Sequence, residues 1–244
     1  MTSKLSTQNY QILQNSKEVS ELSHNYHTVD LATVKLQEVS TDKLLLALNI
    51  DRSGSMERKE EDHSLLEHTI HTVKNIIDYL GELKKETPSL NLTVLVNAFD
   101  HENTMIGSLD IGDKDTDKFI KKLENLKPRG TTNIEGAFKK IKENEQYLSS
   151  DNKVHILMTD GIPNKGKIRA EGIVENSPGG EQIMIGYGID HDAVLLQKMV
   201  ELLKGSYHFV DSIENAGMVY GEIIHKLLFR AVKDVKVTVK GAEI

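Results

Sequence analysis

Short apolar runs alternate with longer stretches of helical periodicity along most of this chain, and this alternation restricts its fold more than any other feature. The runs occupy residues 44–50, 90–99, 154–159, 182–189 and 206–210. Runs of this length are short for helices, and their nearly continuous apolar character indicates strands buried on both faces. About six such strands are too few for an eight-stranded barrel. The pattern therefore predicts an α/β fold with a doubly wound, mostly parallel sheet and helices on both faces.

The stretches between these strands carry apolar residues at helical spacing. They cover residues 65–80, 119–126, 134–141, 194–202 and 218–227. Each follows or precedes one of the apolar runs, as expected for helices that cover the two faces of a parallel sheet.

The two ends of the chain differ from its centre. We divide the chain into a polar N-terminal segment with a flanking strand (1–41), a main domain (42–230) and a C-terminal flanking strand (231–244). Residues 1 to about 27 are expected to be loosely ordered or weakly helical. Valines alternate with polar residues at 235–239, which predicts a strand with one wet face. We expect this strand to pair with residues 33–39 outside the main sheet.

Composition excludes several classes of protein. The 244 residues include no Cys, which rules out disulfides and thiolate metal sites. A formal charge of −7 argues against a nucleic-acid partner, which would favour a basic face. No apolar run approaches the ~20 residues of a membrane-spanning helix. The N-terminal residues also lack the apolar stretch of a secretory signal, so we expect a cytoplasmic location.

Polar residues cluster directly after two of the predicted strands. Asp51, Ser53 and Ser55 follow the run at 44–50, Asp160 follows the run at 154–159, and the loop 128–133 precedes a predicted helix. Ligands of doubly wound sheets bind beyond the carboxyl ends of the strands, so these loops are expected to share one edge. Alternate positions in a tight turn can point their oxygens at one centre. Oxygen ligands suit a hard cation, Mg²⁺ with Mn²⁺ or Ca²⁺ as substitutes, better than zinc.

These residues also carry a resemblance to a known family. Asp51-x-Ser53-x-Ser55, Gly-Thr-Thr-Asn at 130–133 and Met-Thr-Asp-Gly at 158–161 resemble the three parts of the metal-ion-dependent adhesion site of von Willebrand factor A domains. The similarity extends over residues 42–230 in the expected order. It implies the Rossmann-like fold of that family, with an antiparallel edge strand near 105–109. Thr131 departs from the family, in which a Gly is common at this position.

The resemblance implies a set of metal ligands and a function. Ser53, Ser55 and Thr132 would ligate the ion through hydroxyls, whereas Asp51 and Asp160 would hold ion-bound waters or ligate directly. A protein partner would complete the octahedron with an Asp or Glu carboxylate, and no residue would act as a nucleophile. The expected function is divalent-cation-dependent protein recognition without catalysis. As loop oxygens, the two serines are expected to be exposed and dispensable for folding.

Other interpretations remain open on the residues alone. A metal-dependent phosphohydrolase could use Asp51 and Asp160, although haloacid dehalogenase-like enzymes place a second Asp where Ser53 stands. The site could be vestigial in a scaffold protein. Each loop alone could be a turn or a helix cap.

Two further features lie beside the candidate site. Residues 161–167 fit a phosphate loop except that Pro163 removes a backbone donor and Ile168 replaces the Ser or Thr that reaches Mg²⁺. Arg52 is a cation beside the site that could weaken ion binding or attract an acidic partner.

Overall fold

The fold is taken from a computed structural model of the chain. It describes residues 13–19, 26–32, 43–60, 62–150, 152–210 and 219–225. The chain divides into two compact units, one of Ser40–His225 and one of Met1–Val39 with Lys226–Ile244. Two strands are described in the second unit, β1 (Leu13–Val19) and β2 (Tyr26–Ala32).

The two N-terminal strands correct one sequence prediction. β1 pairs antiparallel with β2, with Leu13 opposite Ala32 and Val19 opposite Tyr26. The prediction of a loosely ordered or weakly helical segment is therefore wrong for residues 13–19. Neither strand has a strong apolar pattern, and the hydrogen bonds of each depend on a partner that local sequence does not reveal. The predicted flanking strands at 33–39 and 235–239 lie outside the described residues.

The other unit alternates strands and helices in the order that the apolar runs predict. Its strands are β3 (Lys43–Asp51), β4 (Lys59–Glu60), β5 (His63–Ser64), β6 (Asn91–Phe99), β7 (Asn103–Asp110), β8 (Asn152–Thr159), β9 (Glu181–Tyr187) and β10 (Ser206–Val210). Its helices are α1 (Leu65–Glu86), α2 (Thr116–Glu124), α3 (Ile134–Lys142), α4 (Glu145–Leu148), α5 (Ala170–Val174) and α6 (Ala193–Leu203). Residues 219–225 are also helical, and a 3₁₀ turn covers Gly54–Glu57. None of the described helices is both long and apolar enough to cross a membrane.

Six strands form the main sheet in the order β10-β9-β8-β3-β6-β7. All neighbouring pairs are parallel except β6 and β7, which pair antiparallel. This arrangement confirms the predicted doubly wound α/β fold and the antiparallel edge strand. Eight of the nine residues of β3 are buried, because helices cover both faces of the sheet.

Alternate residues of each strand pack against helices on opposite faces. On one face, Leu157 and Met184 join the apolar cluster formed with α3, α5 and α6, which includes Phe138 and Met199. On the other face, the hydroxyl of Tyr187 lies close to Thr69 and Thr72 of α1. The amphipathic helices predicted from periodicity therefore bury their apolar faces on the two sides of one sheet.

Helix α1 begins at a capping box that its sequence encodes. The Ser64 hydroxyl accepts a hydrogen bond from the backbone N–H of Glu67, and the Glu67 carboxylate accepts one from the backbone N–H of Ser64. Such caps stabilise a helix by about 1 kcal/mol. Glu67 lies close to His68 and His71, and this group of residues resembles part of a zinc-binding helix. The Glu67 carboxylate is instead used in the helix cap.

Replacement of Gly81 by alanine is expected to stabilise the protein. Gly81 lies inside α1, and a Cβ added there meets no atom within 4 Å. Alanine should raise the free energy of unfolding by about 0.5–1 kcal/mol, because glycine loses more backbone entropy on folding. Gly112→Ala is the control and should destabilise, since the φ of Gly112 is +94°. Denaturant unfolding of both variants measures the effect, and a loss of stability in Gly81→Ala would contradict it.

Candidate metal centre

Two neighbouring parallel strands bring the candidate acidic residues to the same edge of the sheet. β3 pairs with β8 and ends at Asp51, and β8 ends at Thr159, directly before Asp160. The chain passes from β3 to β6 on one side and later returns to β8 on the other. The carboxyl ends of β3 and β8 therefore flank the point where the strand order reverses, which is where doubly wound sheets bind ligands.

Asp51 is completely buried at the end of β3. Its Oδ1 accepts a hydrogen bond from the backbone N–H of Ser53 at 2.7 Å, and its Oδ2 accepts one from the hydroxyl of Thr159. Burial raises the pKa of Asp51 to about 7 despite these hydrogen bonds, and the charge of Asp160 acts in the same direction. Such a carboxylate is stabilised by any cation placed beside it.

The two serines and Asp160 form a chain of closely spaced oxygens. Ser53 Oγ lies 3.0 Å from Ser55 Oγ, and the Ser55 hydroxyl donates to Asp160 Oδ1 at 2.9 Å. In an octahedral Mg²⁺ site with metal–oxygen distances near 2.1 Å, adjacent ligand oxygens are about 3.0 Å apart. The spacing of these oxygens therefore fits adjacent corners of such an octahedron. Burial raises the pKa of Asp160 as it does that of Asp51.

The exposure of the serines differs from the sequence expectation. Ser55 is exposed, but Ser53 is only 1% exposed. The tight turn that follows β3 folds the Ser53 side chain inward, since its backbone N–H reaches back to Asp51. The prediction that both serines are exposed loop oxygens is therefore wrong for Ser53.

Backbone hydrogen bonds tie the loop that carries Thr132 to this turn. The N–H of Gly54 donates to the carbonyl of Gly130 at 3.1 Å, and the N–H of Arg129 donates to the carbonyl of Arg52 at 2.8 Å. Gly130 has a φ of +67°, and the His101 ring occupies the space that a Cβ would fill. Only glycine suits this position, because a side chain would both strain the backbone and displace the ring.

Gly161 lies close to side-chain oxygens of both Asp51 and Thr132. A Cβ built on Gly161 would lie 2.9 Å from Thr132 Oγ1 and 3.2 Å from Asp51 Oδ2. Thr132 itself is 3% exposed. The structure thus brings all five predicted site residues, Asp51, Ser53, Ser55, Thr132 and Asp160, to one edge of the sheet. Two carboxylates and three hydroxyls make an all-oxygen donor set that fits a hard dication.

Gly161→Ala is expected to impair metal binding more than folding. The added methyl group would press against Thr132 Oγ1, so this hydroxyl must move away from the centre. We expect Mg²⁺ affinity to fall by about 10-fold or more, as when residues that orient a metal ligand are changed. Calorimetric titration measures the Mg²⁺ affinity, and the melting temperature in chelator measures the stability of the folded protein. Gly221→Ala, where a Cβ meets nothing within 4 Å, is the control. Unchanged affinity in Gly161→Ala would contradict the expected crowding.

Arg52 was expected to act on ion binding or on an acidic partner, but it pairs with the neighbouring carboxylate of Asp100. The Nε of Arg52 lies 2.9 Å from Asp100 Oδ2, and a terminal nitrogen of Arg52 donates to Thr104 at 2.7 Å. Arg129 also pairs with Asp100 at 2.8 Å and with Glu102 at 2.9 Å. Burial of Asp100 is outweighed by the N–H of Glu102 and by the two guanidinium groups, which lower its pKa overall.

The same ion pairs balance the charge of a second acidic cluster, which lies after β6. Asp100, His101 and Glu102 are close enough to hold a metal ion, but the guanidinium groups of Arg52 and Arg129 already neutralise both carboxylates. Asp100 was not among the site residues predicted from the sequence. The rule that located Asp160 would have found it, because Asp100 directly follows the predicted strand 90–99.

A string of buried polar side chains lies beneath the site and was also missed. Asn97 donates to Asn49 at 2.8 Å, Asn49 contacts His155 Nε2 at 2.8 Å, and His155 Nδ1 contacts Gln182 at 2.8 Å. These residues come from four neighbouring strands, and all are at most 2% exposed. Burial lowers the pKa of His155 to about 4, so the ring is neutral at pH 7. A polar residue within each of these four apolar runs was the available signal.

The structure also tests the phosphate-loop resemblance of residues 161–167. The backbone N–H groups of Asn164 and Lys165 donate to the carbonyl of Thr132, and the N–H of Lys167 donates to Glu135. A phosphate cradle requires N–H groups that converge on an empty space. Because these three donors are occupied, the segment does not form one.

Comparison with known proteins agrees with this fold. Residues 46–220 match the sequence profile of the family described as von Willebrand factor type A domain. A von Willebrand factor type A structure from Catenulispora acidiphila is 18% identical, with a TM-score of 0.63, and the match covers 77% of this chain and 43% of that chain. The PilB minor pilin from Streptococcus sanguinis is 16% identical, with a TM-score of 0.62 and coverage of 82% and 64%.

A third similar structure is proximal thread matrix protein 1 from the mussel byssus, described with a zinc-occupied metal-ion-dependent adhesion site. It is 18% identical, with a TM-score of 0.55 and coverage of 77% and 48%. No curated protein sequence matches this chain. This chain spans between 43% and 64% of the length of these similar structures, and identities this low show a shared fold alone. The family match covers well over half of the sequence, and the chain therefore belongs to the von Willebrand factor type A domain family.

Proposed function

We propose that this domain recognises a protein partner through a divalent cation. The cation would be held by hydroxyls and carboxylates at or just after the ends of β3 and β8 and by a hydroxyl of the loop before α3, namely Asp51, Ser53, Ser55, Thr132 and Asp160. The observation that carries the proposal is the pair of buried carboxylates whose pKa values are raised by burial. Among the described residues, neither carboxylate has an ion-pair partner, so a dication would supply the missing positive charge.

The donor set also favours recognition of an anion. Three of the five proposed ligands are neutral hydroxyls, so the two carboxylates only just balance a dication. A bound cation of this kind supplies an electrophilic centre that accepts one further oxygen ligand. We propose that an Asp or Glu of the partner provides this oxygen. Membership of a family of interaction modules supports the proposal.

Mg²⁺ is the ion we propose first. The donor set of two carboxylates and three hydroxyls supports it, because a hard dication prefers oxygen ligands. The zinc-occupied site described for the mussel protein makes Zn²⁺ a necessary comparison. Calorimetric titration of the protein with Mg²⁺, Mn²⁺, Ca²⁺ and Zn²⁺ ranks the four ions.

The surroundings of Asp51 support binding over phosphoryl transfer. Asp51 is 0% exposed, and each of its carboxylate oxygens accepts a hydrogen bond from the protein. A nucleophile must reach its substrate, and this carboxylate has no exposed surface from which to attack. A turnover assay on generic phosphoesters, with Asp51→Ala as control, distinguishes the two functions. Turnover that Asp51→Ala abolishes would identify an enzyme.

The test of the proposed function is capture of protein partners in Mg²⁺ and in chelator. We expect partners that bind in Mg²⁺, elute with chelator, and lose binding when one Asp or Glu of the partner is replaced by alanine. Absence of any ion binding by calorimetry, with no rise in melting temperature, would indicate a vestigial site. Binding that is indifferent to chelator would contradict the carboxylate-bridge mechanism.

A further inference from the structure

The loop that follows Asp160 has an unusual surface for an acidic protein. Residues 161–169 contain three basic residues and no acidic residue, whereas the whole chain has a formal charge of −7. Two isoleucines of this loop, Ile162 and Ile168, are 62% and 56% exposed. Exposed large aliphatic side chains next to a ligand site offer apolar area that a protein partner can bury.

This loop is fixed beside the candidate metal centre. The N–H groups of Asn164 and Lys165 donate to the carbonyl of Thr132, at 3.0 and 3.2 Å, and the Asn164 side chain accepts from the N–H of Thr132 at 2.9 Å. Ile162 stands two residues after Asp160 in the sequence. The apolar and basic side chains of the loop are therefore presented next to the ion that the proposed function requires.

The basic residues of this loop differ in their availability. Lys167 is engaged, because its ammonium group contacts the carboxylates of Glu175 and Glu135. Lys165 and Arg169 are exposed, and within the described part of the chain neither forms an ion pair. Two cations are therefore free to attract an anionic partner, and charges at the rim of an interface act mainly on encounter and selectivity.

The loop that follows the adjacent strand β9 also carries an exposed apolar side chain. Ile189 is 84% exposed, and the next residue, Asp190, pairs with Arg58 at 2.7 Å. The charge of Arg58 contributes to the pKa of Asp160, so this ion pair lies within electrostatic range of the site. An exposed isoleucine is thus present on each of the two loops that follow β8 and β9.

We infer that residues 161–169 select the partner, which is an acidic protein segment with an apolar side chain close to its metal-binding carboxylate. This inference rests on the proposed function. The metal site accepts one carboxylate, Ile162 and Ile168 contact the neighbouring apolar side chain, and Lys165 and Arg169 attract further acidic residues of the same segment. A segment with flanking lysines or arginines is disfavoured by like-charge repulsion.

The test uses random linear peptides displayed on phage and selected on the full chain in Mg²⁺, with a parallel selection in chelator. We expect peptides enriched only in Mg²⁺ that contain an Asp or Glu, a nearby apolar residue and further acidic residues. The selected peptides are then synthesised, and their binding kinetics are measured on the variants below.

Two pairs of variants separate the contributions of charge and apolar contact. Lys165→Glu with Arg169→Glu should slow association by about tenfold at low salt, whereas the same reversal at Lys114 and Lys118 should not. Residues 114 and 118 are exposed and follow β7, whose end at Asp110 pairs with the start of β6, at the opposite edge of the sheet. Ile162→Ser with Ile168→Ser should accelerate dissociation by about tenfold, and Leu148→Ser is the exposed aliphatic control.

The outcomes distinguish this inference from the proposed function. If no peptide is enriched in Mg²⁺ over chelator, both are overturned. If Mg²⁺-dependent peptides bind the Lys165→Glu/Arg169→Glu variant as fast as wild type, the metal-dependent function stands and the selecting role of the loop is wrong. The Mg²⁺ affinity of every variant is also measured, as a check that its metal site is intact.

A vesicle experiment tests a membrane role for the same loop. The protein would bind phosphatidylserine vesicles, and the charge-reversal variant would lose this binding while still binding the peptides as wild type does. That outcome would assign the loop to membranes and overturn the inference.

Discussion

Replacing Ser53 and Ser55 together with alanine is expected to weaken Mg²⁺ binding by about 100-fold or more. The two hydroxyls lie 3.0 Å apart, and Ser55 also donates to Asp160, so the double variant loses two oxygen donors and the group that orients a third. Changes to residues that only orient metal ligands already cost 10–100-fold in affinity. Calorimetric titration of the full chain with Mg²⁺ at pH 8 measures the change.

The matched control is Ser149→Ala with Ser150→Ala. Both of these serines donate to the carbonyl of Gln146 and precede β8, so they lie at the opposite edge of the sheet. In chelator, each double variant loses two hydroxyl hydrogen bonds and should lose about 2 kcal/mol of stability, because each such bond contributes about 1 kcal/mol. Mg²⁺ affinity equal to wild type in the Ser53/Ser55 variant would exclude these serines as ligands.

Asp51→Asn is expected to stabilise the protein in chelator at pH 8 while abolishing metal binding. The pKa of Asp51 is raised from 3.8 to about 7 in the folded protein. The folded state therefore holds this proton more tightly than the unfolded chain does. The stability that Asp51 contributes is complete below pH 3.8 and is lost as the pH rises to about 7. A shift of this size corresponds to about 4 kcal/mol at most.

The neutral asparagine has no such dependence on pH. In chelator, the free energy of unfolding of Asp51→Asn minus that of wild type should grow as the pH rises from 4 to about 7, and then level off. Denaturant unfolding of both proteins across this range measures the difference, and contributions common to both proteins cancel. A difference that is constant with pH, or that shrinks as pH rises, would contradict the raised pKa. With Mg²⁺ at pH 8, wild type should gain stability and Asp51→Asn should not.

Periodicity alone was sufficient for most of the fold. Each of the five apolar runs is a strand of the main sheet. These predictions succeed because burial on both faces requires continuous apolar strands, whatever the details of packing. The antiparallel edge strand near 105–109, which is β7, was expected from the family resemblance instead. The prediction failed at residues 13–19, where two weakly patterned segments pair through their backbones and local sequence carries little signal.

The proposed ligand residues could likewise be identified from their positions after strands. What the sequence could not give is their environment. Ser53 is buried rather than exposed, Arg52 turns toward Asp100, and the polar string of Asn97, Asn49, His155 and Gln182 joins four strands. Such pairings connect residues that are far apart in the chain, so no local pattern encodes them.

The sequence by itself determined the alternation of strands and helices, and with it the edge of the sheet at which oxygen ligands collect, because both follow from the local order of apolar and polar residues. Only the tertiary structure decided that two carboxylates would be buried together with no ion-pair partner among the described residues, and that a loop with exposed isoleucines and cations would lie beside them. The physical reason is that desolvation and charge pairing depend on every neighbouring element, whereas periodicity depends on one element at a time.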